Sequence, residues 1–212
     1  MMNRKARIVV LISGRGSNMV AIADNIDAGL IPDAEIVLVL SNKDDAPGLQ
    51  IARERGLHTW FIRASSSFLE RKLTREEYDE QLKGVLADYE PDLICLAGFM
   101  RILSPGFVQE YQNRILNIHP SLLPAFPGED AHTDVLAYGA KVSGCTIHMV
   151  DEQVDHGPIV VQRTVPVHES DTKKTLADRV LVEEHIAYTE AINMVLSGNF
   201  EVVGRRFQLK EL

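Results

Sequence analysis

The chain of 212 residues is 45% hydrophobic and 25% charged, proportions of a globular protein with a substantial core that exclude a disordered one. Its net charge of −8 argues against a nucleic-acid or membrane-surface binder. It leaves a small anionic ligand open, since donors local to a pocket outrank overall charge.

The length suits one domain over residues 1–212. The basic start, Met2 to Arg7, leads into an apolar run that ends at Ser13, too short for a signal peptide or a membrane span. Within that run, Ile8 to Ile12 predicts a buried strand, followed by the turn Ser13-Gly14-Arg15-Gly16-Ser17-Asn18 and a helix to about Asp27. Glu35 to Leu40 is the second strand, Pro47 to Arg55 a helix stopped by Gly56, and residues 57–62 a third strand. Thr74 to Tyr89 is the clearest helix, with Tyr78, Leu82, Val85, Leu86 and Tyr89 on one face and a capping box of Thr74 and Glu77. Asp92 to Ala97 and Ile115 to Ile118 complete a strand–helix alternation that predicts a parallel sheet covered on both faces. Beyond residue 140 the pattern changes: Ser143 to Val150 and Ile159 to Val167 read as an antiparallel pair, and a last helix runs from about Lys174 to Leu196. Cys95 and Cys145 lie inside apolar runs without CxxC spacing and read as reduced core residues of a cytoplasmic protein.

Chemistry concentrates in a few segments. Asn117 and His119 are two apart at the end of an apolar run, so in a strand both side chains share a face, with Pro120 stopping the strand just beyond. Asp155, in the turn Val154-Asp155-His156-Gly157-Pro158, supplies a carboxylate able to orient and charge the imidazole. Carboxamide, imidazole and carboxylate together can stabilise an oxyanion and move a proton. An isolated Asn-x-His is more often a turn asparagine beside a satisfied loop histidine, so the surrounding motifs decide. The turn Gly14 to Asn18 opens backbone N–H groups onto a helix N-terminus, a ready anion site to which Ser17 and Asn18 add side-chain donors. Met19 stands at the third glycine position of the dinucleotide fingerprint, and the second strand ends in Ser41-Asn42-Lys43 without an acidic ribose ligand. With no Walker lysine–serine pair either, one small phosphate is favoured over NAD or ATP. Leu96 to Pro105 follows the fourth strand at the sheet edge where open α/β folds place ligands. There Met100, Ile102 and Leu103 suit either a slot for a flat heterocycle or plain core packing. Glu183-Glu184-His185 reads as a solvated acidic face or as a carboxylate aimed at a ligand amine.

In this order the segments VVLISGRGSN (9–18), LSNK (40–43), TREEYD (74–79), LAGFMRILSP (96–105), LNIHPSLLP (116–124), GCTIH (144–148) and VDHGP (154–158) resemble the phosphoribosylglycinamide formyltransferases of purine synthesis, which use 10-formyltetrahydrofolate. The resemblance covers nearly the whole chain. It implies an α/β fold with a Rossmann-like, mostly parallel sheet and an antiparallel extension in the C-terminal third. It further implies a phosphate-binding half over about 1–115, a catalytic and folate-binding half over about 116–212, and a cleft between the two sites. By the same resemblance Asn117, His119 and Asp155 are the catalytic set, and Gly16, Ser17 and Asn18 bind the substrate phosphate. Glu184 holds the glycinamide end or ribose. Arg75, Met100, Arg101, Ile102, Leu103, Asn117, Asp151 and Asp155 contact the folate. The loop Ala125 to His132 departs from the family pattern, with Ala125 where relatives resemble Lys or Ser and Glu129 and Asp130 where they are less acidic, and it carries no ligand role here.

The implied reaction is direct acyl transfer from 10-formyltetrahydrofolate to the amine of glycinamide ribonucleotide, without metal or ATP, since the donor is already activated. A formyltetrahydrofolate deformylase would use the same Asn/His/Asp set with water as nucleophile, but its relatives usually carry an N-terminal regulatory domain. A methionyl-tRNA formyltransferase would need a further RNA-binding domain. A metal site of His119, His148, Asp155 and His156 matches no compact ligand spacing, and a non-catalytic phosphate sensor would bind the phosphosugar without turnover. The sequence leaves homodimer formation open.

Overall fold

The computed structural model describes residues 4–66 and 71–210. These fall into two compact units, Met1–Leu116 and Asn117–Leu212.

The first unit alternates strands and helices: β1 (Ala6–Ile12), α1 (Ser17–Asp27), β2 (Ala34–Ser41), α2 (Pro47–Glu54), β3 (Thr59–Phe61), the short strands β4 (Ser65–Ser66) and β5 (Arg71–Lys72), α3 (Arg75–Ala87), β6 (Leu93–Leu96) and α4 (Pro105–Glu110). The order β3-β2-β1-β6 is parallel throughout. Ile8 to Ile12 are all fully buried. Successive strand residues point to opposite faces, so this run requires cover on both, as in a doubly wound sheet. Thr74 caps α3 through the expected box, Oγ1 accepting from Glu77 N at 3.2 Å and Glu77 Oε2 accepting from Thr74 N at 2.9 Å. The helix ends at Ala87, short of Tyr89, because Glu90 turns the chain into the left-handed region at φ 40°. The short helix α4 has no periodicity to reveal it. It is built on Ser104, whose N–H is held by the buried Asp79 carboxylate at 2.5 Å and whose Oγ accepts from Phe107 N at 3.3 Å.

Strand β7 (Ile115–His119) leads into the second unit, followed by α5 (Ala131–Tyr138), β8 (Val142–Met149), β9 (Ile159–Pro166), α6 (Lys173–Leu196), β10 (Phe200–Val203) and β11 (Arg206–Leu209). The strand order is β7-β8-β9-β11-β10. β8 and β9 are antiparallel, as their pattern predicts, with a bulge between Ile147 and His148. α6 buries Leu176, Val180, Ala187, Tyr188, Ala191 and Ile192 and packs on β8, β9 and α5. Its N-terminus is tied down by Asp171, whose two oxygens take both terminal nitrogens of Arg179 at 2.8 Å. That pairing holds the Asp171 carboxyl well below the usual carboxylate range. Helix α5 and the hairpin β10–β11 have no counterpart in the sequence reading: α5 is only eight residues long, too short to repeat a helical period, and the hairpin strands are four residues each.

Cys95 and Cys145 are free and wholly buried. Burial first, and the neighbouring Glu184 carboxylate second, push the Cys145 thiol up to about 12. No helix among the described residues is long and apolar enough to cross a membrane.

Candidate active site

The last residues of β7 place Asn117 and His119 on one face, and His119 is 4% exposed. The ring is held from both ends. Nε2–H donates to the Phe126 carbonyl at 2.8 Å, and Nδ1 lies 3.3 Å from Asp155 Oδ2. Both nitrogens therefore face oxygen acceptors, an arrangement satisfied when each carries a hydrogen. Asp155 adopts φ 50°, and its Oδ2 also accepts from Gly128 N at 2.9 Å. The same loop, 125–130, thus supplies a carbonyl to the imidazole and an amide to the carboxylate.

His148 joins this group, and the sequence reading gave it no part in catalysis. Its Nδ1–H donates to the Met149 carbonyl at 2.8 Å, so Nε2 is an acceptor and takes a hydrogen from Asn117 Nδ2 at 3.1 Å. Burial lowers its pKa below the ordinary value, outweighing the Met149 carbonyl and the Asp155 carboxylate, whose Oδ1 is 3.9 Å from Nε2. A neutral His148 decides which way the Asn117 carboxamide turns and leaves that amide one further N–H for a ligand oxygen. The signal was present in GCTIH: Thr146 and His148 are two apart in a strand, and both make polar contacts with the chain of β7 and the segment after it.

Beneath the imidazole runs a buried polar network. Ser121 Oγ, wholly buried, donates to the Ala125 carbonyl at 2.6 Å with the Phe126 carbonyl at 3.1 Å. Thr146 Oγ1 donates to Ser121 O at 2.7 Å and accepts from Leu123 N and Gln162 Nε2, each at 3.0 Å. Phe126 sits at φ 54°, a conformation that a non-glycine residue keeps only where its surroundings hold it. Here the network does so, and the carbonyl it fixes is the one that receives His119.

In the first unit, Gly16 is the N-cap of α1 at φ 75° and makes no side-chain cap. Ser17 is half-buried and Asn18 is 7% exposed. The turn is held by close backbone approach, Gly48 N donating to Gly14 O at 3.0 Å. The segment after β6 is tied to the end of β1 by Met100 N donating to Ser13 Oγ at 2.8 Å. Its residues divide: Met100 and Ile102 are exposed, whereas Leu103 is 4% exposed. The Arg101 guanidinium lies 4.0 Å over the Tyr78 ring. Arg75 is exposed in the first turn of α3.

Glu184 is 8% exposed on the buried side of α6, and its neighbour Glu183, part-buried, pairs with Arg163 at 2.5 Å. Asp151 is bound to His156 at 2.7 Å rather than to the catalytic set. That pairing also takes His156 out of the four-residue metal set considered above, and no metal-ligating group of three His, Cys, Asp or Glu occurs among the described residues.

Comparison with known proteins adds relatives to this geometry. A formyl transferase family model matches residues 6–192. The chain is 45% identical over 199 residues to the trifunctional purine biosynthetic protein adenosine-3 of Bos taurus, covering 92% of this chain but only 19% of that protein. It is 42% identical over 195 residues to the phosphoribosylglycinamide formyltransferase of Escherichia coli (strain K12), covering 92% and 89% of the two chains. Its fold is similar to the crystal structure of glycinamide ribonucleotide transformylase 1 from Symbiobacterium toebii, with a TM-score of 0.92 at 43% identity and coverage of 99% and 96%.

Proposed function

The chain belongs to the formyl transferase family, and on that premise we propose that it transfers the formyl group of 10-formyltetrahydrofolate to the amine of glycinamide ribonucleotide in purine synthesis. The observation that carries the reading is the His119 ring, held between the Phe126 carbonyl and the Asp155 carboxylate beside an Asn117 amide turned by His148. Such a group is built to meet an oxygen that gains negative charge. The substrate amine attacks the formyl carbon and the carbonyl electron pair moves onto oxygen, where the Asn117 N–H donates to it and the His119 Nε2–H turns from the Phe126 carbonyl to do the same. As the tetrahedral intermediate collapses, the bond from carbon to N10 breaks. The proton lost by the attacking nitrogen passes to N10, by way of water ordered at Asp155. The donor is already activated, so the step calls for no nucleophilic side chain, metal ion or ATP.

The remaining residues bind. The amides at Gly16, Ser17 and Asn18 take the substrate phosphate, and Glu184 takes the glycinamide end or ribose. Arg75, Met100 to Leu103, Asn117, Asp151 and Asp155 contact the folate. The protein works in the cytoplasm on two small substrates. The test is to mix it with 10-formyltetrahydrofolate, with and without glycinamide ribonucleotide, and to follow folate release and product. Release that depends on the acceptor, with N-formyl product in equal amount, is expected. Rapid formate production without acceptor would replace the reading with the deformylase.

A further inference from the structure

The loop between β8 and β9 carries Asp155, and its far side is gripped by an element with no assigned role. Arg205 stands at the turn of the β10–β11 hairpin, beyond the residues 6–192 that the family model matches. Its Nη2 donates to the His156 carbonyl at 2.5 Å, and its Nη1 donates to His156 Nε2. On the other side of the ring, His156 Nδ1 meets Asp151 Oδ2 at 2.7 Å, while Asp151 Oδ1 takes Gln153 N at 3.0 Å. We propose that the hairpin is a clamp on the catalytic loop, in which Arg205 and His156 are positioning residues that hold Asp155 in place for the reaction.

The chemistry of the ring makes this specific. A carboxylate accepts only, and a guanidinium donates only. His156 satisfies both when its one hydrogen is on Nδ1 and its lone pair on Nε2. Arg205 and Asp151 together therefore select one tautomer, and through it close a chain of contacts from the start of the loop, across Asp155, to the hairpin. Asp155 needs such closure, because φ 50° is a conformation that an L-residue adopts only when held. The hairpin is suited to hold it. Arg206, the next residue, pairs with Ile159 of β9, three residues after His156, which brings Arg205 level with the loop. Phe200 and Phe207 stack at 4.9 Å across the hairpin, and Lys210 N bonds to Asn199 O at 3.1 Å at its open end.

The role of the clamp rests on Asp155 acting in catalysis, and the experiment separates the two claims. Arg205→Ala and Arg205→Lys are made in the full chain, with His156 followed by ring-¹⁵N NMR and turnover measured with both substrates. In the parent protein His156 is expected as the Nδ1–H tautomer. In Arg205→Ala the Nε2 lone pair loses its donor while Asp151 keeps the hydrogen on Nδ1, so the Nε2 resonance should shift, while kcat falls by roughly fivefold and KM for glycinamide ribonucleotide stays within about twofold, the modest size suiting a partly exposed contact. Arg205→Lys, which keeps the charge but loses the fork, should give an intermediate Nε2 resonance and rate. An unchanged His156 spectrum in Arg205→Ala overturns the grip. A shifted Nε2 resonance with unaltered kcat overturns the positioning role. If the parent protein transfers no formyl group to that acceptor, the spectrum still reports on the grip while the functional reading fails alone.

Discussion

Replacing Gly48 by alanine tests whether the glycine-lined turn of the first unit is the phosphate site. A Cβ at Gly48 would lie 2.6 Å from Ile12 Cδ1, 3.0 Å from Gly14 O and 3.1 Å from Gly16 Cα. Ile12 is wholly buried and cannot swing into solvent, and the other two atoms are backbone of the turn itself. The methyl can therefore be accommodated only if the turn moves by a few tenths of an ångström. Two effects oppose each other in stability. Alanine is the better helix former by about 1 kcal/mol, less so in the first turn where Gly48 sits, whereas overpacking a tight contact costs about 1–3 kcal/mol. Overpacking should win by about 1–2 kcal/mol, a fall in Tm of roughly 2–8 °C for a chain of this size. The binding effect should be larger in proportion, because hydrogen bonds from amides weaken steeply once lengthened. KM for the phosphorylated substrate should rise about tenfold, equivalent to ~1.4 kcal/mol, with folate affinity changed by less than about twofold. Steady-state kinetics on the variant, with folate binding by fluorescence titration, make the measurement. A folded Gly48→Ala protein with unaltered KM for that substrate would refute the phosphate assignment, and equal weakening of both ligands would point to general damage.

His119→Ala and Asn117→Ala should each lower kcat by ~10²-fold or more with little change in folate binding, since they remove donors to the developing oxyanion; near-normal turnover in folded His119→Ala protein would exclude that role. Stability should fall on the acid side for a definite reason. Burial lowers the pKa of both His148 and His132 from 6.5, so the unfolded chain binds their protons first. Their contribution is complete above about pH 6.5 and is lost as pH drops below it toward the folded values. His132→Gln should flatten the decline of Tm between about pH 7 and 5, and a decline equally steep in that variant would clear His132 of any part in it.

The parallel sheet was legible because buried strands leave unbroken apolar runs, and α3 because its cap and its stripe agree. The elements without such marks went unread: α4 is six residues long, its cap Ser104 held by the Asp79 carboxylate that accepts its N–H from another helix, and β10–β11 is too short to show alternation. At the site, period-2 spacing was enough to put Asn117 and His119 on one face, and the structure brings Asp155 to them. The Phe126 carbonyl and Gly128 amide could not be foreseen, because backbone groups carry no residue identity. The expectation for loop 125–132 was of no ligand role, and what it contributes is main chain. His148 was nearer to legible, in a strand two residues from Thr146. Its part depends on which ring nitrogen is occupied, which only the Met149 contact decides.

The loop that bears Asp155 begins and ends at a backbone weld: Met149 N meets Pro158 O at 2.8 Å, and a Cβ on Gly157 would fall 1.9 Å from Met149 O. Any side chain at 157 would prise the loop open, so its length and its stem are fixed while its crest is not. Gln153 and Val154 are exposed there. A library that randomises these two positions and leaves the stem intact could retune which formyl donor is accepted without relocating the carboxylate. Natural drift should follow the same rule, with turnover of residues at the crest and insertions kept out of the loop altogether.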